Sequence, residues 1–292
     1  MIFWDHIEKA ISEATGQPFV IRDHHAISGG SINEAWQLVG EGRDFFIKTH
    51  QAGRLDMFIA EAEGLAEMAS SHAIRVPEPV CWGEGEERSY LVMEYLPLSG
   101  PYNAGDFGQR LGQMHHLMQD RFGWHRDNTI GATPQINHWE TDWLHFWKTW
   151  RLGYQLTLAH RNGASRGVLA KGEQLIAEMD GLFPGYQPQA SLLHGDLWAG
   201  NWGTMGGETV IYDPAVYYGD HEADLAMTEL FGHPGKDFWP NYQEYFAIDP
   251  GYAVRRNLYN LYHVLNHFNL FGGGYGGQAE RMMDKLLAEL KG

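Results

Sequence analysis

His194-Gly195-Asp196-Leu197-Trp198-Ala199-Gly200-Asn201 sets an aspartate two residues after a histidine and five before an asparagine. A carboxylate on such a loop can accept the proton of an attacking hydroxyl, while an amide oxygen nearby holds a magnesium ion. That spacing is the one found in the catalytic loop of phosphoryl-transfer enzymes, with Asp196 as general base and Asn201 as metal ligand. Twelve residues on, Ile211-Tyr212-Asp213-Pro214 reads as an apolar strand ending in a carboxylate. Asp213 would supply the second hard oxygen for Mg2+. A polar turn before a hairpin also favours Asp and Asn, but it does not call for a further carboxylate at this distance.

The parts such chemistry needs upstream are present, and in order. Ser28-Gly29-Gly30-Ser31-Ile32-Asn33 lies between two strand-like runs, where the backbone N–H groups of Gly29, Gly30 and Ser31 would cover nucleotide phosphates. A plain hairpin turn is the competing reading. Lys48 follows Phe45-Phe46-Ile47, at the end of a buried strand where an ammonium would meet the α- and β-phosphates. Its expected ion-pair partner is Glu61, because Ala60, Gly64 and Leu65 mark the buried stripe of that helix; Glu63 is the alternative. Met93-Glu94-Tyr95-Leu96 would form a hinge that presents the Glu94 carbonyl and the Leu96 amide to adenine. The joint order of these weak signals makes them a strong one.

The elements that must position these residues change character along the chain. Val20–Ile27, Asn33–Val39 and Arg43–Thr49 read as strands, Asp56–Ala69 as a helix, and Cys81–Leu96 as a hairpin broken at Gly83–Glu87. Pro97–Gly105 is the best boundary, rich in Pro, Gly and Ser. Beyond it helical periodicity marks Asp106–Gln119, Asp142–Arg161, Val168–Leu182, Glu222–Leu230, Val254–Phe271 and Gln278–Leu290, around a strand-like insert at Leu192–Tyr217. The expectation is an α+β bilobal fold of two domains. Residues 1–96 form a small antiparallel β lobe with one helix, and residues 97–292 a larger, mainly α lobe. Trp143, Phe146, Trp147 and Trp150 read as a core stripe. The run Gly272-Gly273-Gly274-Tyr275-Gly276-Gly277 reads as a flexible connection between the last two helices.

Composition removes other classes. With 21 Lys and Arg against 37 Asp and Glu, the net charge is 21 − 37 = −16. That excludes nucleic acid as an expected partner, since phosphate backbones need clustered cations. No apolar run reaches the roughly 20 residues of a membrane span. The N-terminus lacks the plan of a signal peptide, so a cytoplasmic protein is expected, as a monomer or weak homodimer. A single cysteine, Cys81, can form no internal disulfide and reads as a small core hydrophobe. Among 16 histidines, the pairs His115-His116 and His263 with His267 read as coincidence rather than metal sites.

Leu193–Asn201, Tyr212-Asp213-Pro214-Ala215 and Gly219-Asp220-His221-Glu222-Ala223-Asp224-Leu225-Ala226-Met227 together resemble the fructosamine kinase (ketosamine-3-kinase) family. That family belongs to the aminoglycoside-phosphotransferase-like kinases of protein-kinase-like fold. Further matching blocks include Gly112-Gln113-Met114-His115, Asn137-His138-Trp139 and Arg151-Leu152-Gly153-Tyr154. The resemblance implies phosphorylation by ATP, with Mg2+, of the sugar 3-hydroxyl of a small-molecule or protein-bound ketosamine. The 3-phosphate eliminates, so the implied role is deglycation. It makes Asp224 and His194 anchors of the catalytic loop, and Trp198 a platform for the sugar or its amine. Some members carry a cysteine in the phosphate-covering loop; Ser28 and Ser31 stand there in this chain, so a redox switch is not expected. Two rival readings stay open. One is a kinase for an amino-sugar, aminoglycoside or choline-like substrate; the other is a nucleotide-binding scaffold without turnover.

Overall fold

The computed structural model describes residues 3–28 and 32–291. Gly29, Gly30 and Ser31, expected to cover the phosphates, lie outside the described residues. In chain order come α1 (Phe3–Thr15), β1 (Asp23–Ile27), β2 (Glu34–Val39), β3 (Asp44–Gln51), α2 (Leu55–Ser70), β4 (Pro79–Glu84) and β5 (Arg88–Glu94). Next are α3 (Ala104–His115), β6 (Met118–Gln119), β7 (Asn128–Ile130) and β8 (Thr133–Gln135). One helical stretch then opens as α4 (Trp143–Phe146), passes through π-type turns at Trp147–Gly153 and continues as α5 (Tyr154–Arg161). The remainder is α6 (Arg166–Glu178), β9 (Ala190–Leu193), β10 (Trp202–Met205), β11 (Glu208–Ile211), β12 (Tyr217–Gly219), α7 (Glu222–Thr228), α8 (Phe238–Tyr242), α9 (Tyr252–Phe271) and α10 (Tyr275–Glu289).

The chain folds into two compact units. The first comprises residues 1–103 and 203–214. Its sheet has the order β1-β2-β3-β5-β4, antiparallel throughout. Side chains alternate across a strand. Phe45 and Ile47 of β3, with Tyr90 and Val92 of β5, therefore share one face, and Ile7 and Ile11 of α1 pack into their core. The same alternation turns Phe46, Lys48, Leu91 and Met93 to the other face, as the pairings Phe46 with Met93 and Lys48 with Leu91 require. The β10–β11 hairpin joins this unit although it lies far along the chain: β11 pairs Val210 in parallel with Arg75, and Ile211 N–H donates to Arg75 O at 3.0 Å.

The second unit comprises residues 104–202 and 215–292. A small sheet, β12-β9-β6, sits among its helices. α7 is buried over its whole length, Glu222 and Asp224 included, a placement that only full polar pairing can sustain. Trp143, Phe146 and Trp147 are buried, as the core stripe predicts, whereas Trp150 is half-buried and donates to Glu140 at 3.1 Å. Asp142 caps α4 by accepting from His145 N–H at 2.7 Å, and Ser165 caps α6 from Val168 N–H.

Three features depart from the sequence-based expectation. The first unit carries a second helix, α1, whose apolar stripe of Ile7 and Ile11 is short and was missed. The helix expected over Asp106–Gln119 ends at His115, and Met118–Gln119 pairs instead with β9. The glycine-rich run is a connection only at Gly272–Gly274; Gly272 and Gly273 adopt φ of 66° and 62°, and α10 begins at Tyr275. Among the described residues, no helix is long and apolar enough to cross a membrane.

Ile7 and Ile11 have no exposed surface. Truncating either to alanine is expected to lower the unfolding free energy by about 2–5 kcal/mol. A urea titration of Ile11→Ala checks this, the sign of a real core contact being a shifted midpoint with unchanged slope.

Candidate active site

In the first unit the Lys48 ammonium sits between two carboxylates. Nζ lies 2.5 Å from Glu61 Oε1 and also contacts Asp213 Oδ1. The choice left open between Glu61 and Glu63 thus falls to Glu61. Three links of the chain meet here: β3 turns Lys48 off the α1 face, α2 brings Glu61 over it, and β11 delivers Asp213. Burial by itself would lower the Lys48 pKa, but the neighbouring Asp213 and Glu61 raise it above the ordinary lysine range. The group is therefore a fixed cation. Lys48 and Glu61 are almost wholly buried, at 7% and 11% side-chain exposure, while Asp213 is 44% exposed and offers its carboxylate outward. Asp213 has φ of 59°, a left-handed conformation that Asp tolerates better than most residues.

The expected hinge residues end the same sheet. Met93 is buried on the Lys48 face, and Glu94 is the last residue of β5. Glu94 N–H donates to Glu78 O at 2.8 Å, and its carboxylate is held by the Arg75 guanidinium. Tyr95 and Leu96 follow outside the strand and are half-buried. Arg75 was not foreseen; it stands in an irregular segment with no periodic signal.

In the second unit the loop from His194 to Asn201 is held from below by one carboxylate. Asp224 Oδ2 accepts from His194 N–H at 2.7 Å and Oδ1 from Gly195 N–H at 2.9 Å. His194 in turn uses Nδ1 to accept from Asp196 N–H at 3.2 Å, and its carbonyl accepts from Ala215 N–H at 2.8 Å. Gly195 is required here: its φ is +82°, and a Cβ would meet the Ala215 carbonyl oxygen at 2.0 Å. The Asn201 amide closes the loop by donating to Asp196 O at 2.8 Å and, at 3.3 Å, to the Asp196 carboxylate. Asp196 and Asn201 therefore stand on one rigid turn. Trp198 is 36% exposed, and its ring lies where a Cβ on Gly200 would be, 2.3 Å from the nearest ring atom. It meets Phe231 edge-on at 6.3 Å.

Asp224 is wholly buried. Burial would raise its pKa, but the hydrogen bond from His115, the His194 side chain and the Gly195 N–H outweigh it and hold the carboxyl below its usual range. The other two acids of the Asp220-His221-Glu222-Ala223-Asp224 block fix the helix that carries it. Asp220 accepts from Tyr259 Oη at 2.5 Å and Tyr186 Oη at 2.8 Å, and from Glu222 N–H at 3.1 Å. Glu222 takes a bidentate pair from Arg255 at 2.7 and 2.8 Å, the geometry that makes a buried arginine pair tight. Each acid has its own donors, so the run of buried charge is satisfied.

His263 of α9 was read as part of a coincidental histidine pair. It lies 3.8 Å, Nδ1 to Oδ1, from Asp196 and is buried. Burial, with His267 next, pushes its pKa down to about 3, so the ring is neutral. Among the described residues no cluster of three or more His, Cys, Asp or Glu could hold a metal. Cys81, read as a core residue, is half-buried against the core of the first unit, and burial pushes its thiol up to about 11.

The fold is that of a kinase-like phosphotransferase. Comparison with solved structures agrees: a crystal structure of an aminoglycoside phosphotransferase with ADP and hygromycin B matches with a TM-score of 0.66 at 16% identity, over 98% of this chain and 99% of that one. That likeness concerns fold alone. A candidate fructosamine-3-kinase from Haemophilus somnus matches with a TM-score of 0.90 at 28% identity, over 97% of each chain. The model of the family described as "Fructosamine kinase" matches residues 3–289. A Synechocystis sp. protein named "Probable ketoamine kinase" is 46% identical over 292 residues, 97% of each chain. A chloroplastic protein-ribulosamine 3-kinase of Arabidopsis thaliana is 42% identical over 274 residues, 91% of this chain and 83% of that one. The chain belongs to the fructosamine kinase family. It is a kinase, which transfers phosphate from ATP to an alcohol group.

Burial, above all, lowers the pKa values of both His221 and His263 to about 3 from an ordinary value of 6.5. Between those values the unfolded chain binds protons that the folded one refuses. Stability should therefore fall as pH drops from 6.5 toward 3. Thermal melts across this range should show a shallower fall for His263→Gln than for the wild-type chain; equal slopes would remove His263 from the account.

Proposed function

We propose that this kinase phosphorylates the sugar 3-hydroxyl of ketosamines, such as fructosyl- and ribulosyl-amines, in a deglycation reaction. The observation that carries the proposal is Asp196 on a turn braced by Asp224, in a chain close to relatives named as ketoamine and ribulosamine kinases. Asp196 receives the hydroxyl proton as the sugar oxygen attacks the γ-phosphorus and the bond from that phosphorus to the bridging oxygen breaks, so that ADP leaves. A carboxylate held in place can do this because the loop hydrogen bonds leave it little freedom to turn away. Lys48 stays charged at working pH and, with two of its three N–H groups on Glu61 and Asp213, has a third for the α/β-phosphates. Met93, Glu94, Tyr95 and Leu96 would seat adenine, with Gly29, Gly30 and Ser31 over the phosphates.

By residue type, the proposed metal donors suit magnesium. Asp213 and Asn201 offer one carboxylate and one amide oxygen, and Mg2+ is ordinarily held by one or two carboxylates plus phosphates and water. The Asn201 amide nitrogen donates to Asp196, and its oxygen is the atom that would suit a hard cation. When bound, the ion would neutralise charge on the β- and γ-phosphates. Trp198 would support the sugar ring or its amine through its exposed face. The product 3-phosphate would then eliminate inorganic phosphate, and hydrolysis of the remaining sugar–amine adduct would release the amine.

Two measurements test this. Asp196→Asn should lower turnover of a fructosyl- or ribulosyl-amine by about 10²–10⁴-fold, the usual share of a general base, with ATP affinity little changed. Near-normal turnover would take the base role from Asp196. In a panel read by ADP release, ketosamines should be turned over far faster than aminoglycosides or choline. The reverse order would replace the substrate, and tight ATP binding without turnover on any amine-sugar would leave a scaffold.

A further inference from the structure

α3 ends on His115, which has no exposed surface. A neutral imidazole carries one donor and one acceptor nitrogen, and both are engaged. Nδ1 lies 2.7 Å from Tyr242 Oη, and Nε2 lies 3.2 Å from Asp224 Oδ2. An ionised carboxylate only accepts, so Nε2 bears the proton and Nδ1 accepts from the tyrosine hydroxyl; the tautomer follows from the partners. Asp224 Oδ2 is also the oxygen that takes the His194 N–H. A single oxygen therefore binds the imidazole and the catalytic loop together. Tyr242 is itself immobile: it is buried and stacks between Phe238 and Phe246, at 5.8 and 5.9 Å.

We propose that His115, oriented by Tyr242, is a positioning residue for phosphoryl transfer: it fixes the Asp224 carboxylate and so the backbone from which Asp196 projects. It touches no reactant and acts through Asp224. A histidine serving only to fill the core could place its N–H on any carbonyl. Its exposed neighbour His116 does so, with Nδ1 3.2 Å from its own helix carbonyl, Gly112 O. His115 instead meets the one carboxylate that holds the loop. Its hydrogen bond is also the largest effect opposing burial at Asp224. Losing it would leave that carboxylate more basic and less firmly oriented.

The inference rests on the reading of Asp196 as base, so Asp196→Asn is run in parallel with His115→Leu, His115→Gln and Tyr242→Phe on a ketosamine substrate. His115→Leu should lower kcat by about 10–100-fold with KM for ATP within about threefold, the pattern of a lost transition-state contribution. Its acid limb of kcat should move to higher pH, because a more basic Asp224 is protonated earlier on the way down. His115→Gln keeps an N–H within reach of Asp224 and should recover most of the loss; Tyr242→Phe should give a smaller loss of the same kind. Equal kcat in wild type and His115→Leu, no recovery in His115→Gln, or a drop that only follows the folded fraction would each overturn the proposal. Should His115→Leu fail to fold, an unmoved acid limb in Tyr242→Phe overturns it. Full turnover in Asp196→Asn would instead sink the base assignment, whatever the His115 variants do.

Discussion

The structure depends most on a single carboxylate in a dry interior. Asp224 takes the N–H groups of His194 and Gly195, two donors that no strand or helix satisfies. A bare carboxylate in such a place is far too costly, and removing one partner from a buried, hydrogen-bonded charge costs about 3–5 kcal/mol. Everything around it answers that constraint. His115 adds a third donor, Asp220 accepts from the N–H of Glu222 at the start of α7, and Glu222 ties that helix to Arg255. Hydrogen bonds here matter less for the stability they add than for the orientation they impose. The loop above them can hold Asp196 without strain beyond what Gly195 absorbs.

The first unit solves a different problem with the same physics. Lys48 must be charged, buried and aimed. Two carboxylates achieve this together, since a lysine in an apolar sheet face would otherwise tend to lose its proton. The arrangement also explains why β10–β11 returns to this unit: Asp213 arrives on the end of β11 and reaches Lys48. Sheet register, through the pairing of Lys48 with Leu91, decides which face carries the ammonium. A slip of one residue would turn Lys48 toward the α1 core and leave Glu61 and Asp213 unneutralised.

Much of this was legible in the sequence, for physical reasons. Asp196 and Asn201 on one turn, and Lys48 beside Asp213, were readable as candidates because phosphoryl transfer calls for a few residue types in a fixed order, and local spacing preserves that order. Glu61 was preferred to Glu63 because the periodicity of α2 placed the buried stripe beside it. What stayed hidden was of another kind. His115 is separated from Tyr242 and Asp224 by more than a hundred residues in each case, so only the fold reveals the contact. His263 met Asp196 from a helix whose histidine spacing signals nothing by itself. α1 was missed because thirteen residues with two buried isoleucines give too short a pattern to separate from a surface segment. The separate donors of the three acids near residue 222 come from distant segments, so local spacing does not announce them.

The central claim is that this acidic chain moves a phosphoryl group onto a ketosamine hydroxyl. It is tested most directly by incubating the protein with Mg-ATP and a fructosyl- or ribulosyl-lysine and following the sugar by mass spectrometry and phosphorus NMR. The account predicts a sugar 3-phosphate that forms with ADP and then decays to free lysine. ADP release without any phosphorylated ketosamine, or phosphate found on a different hydroxyl, would contradict it.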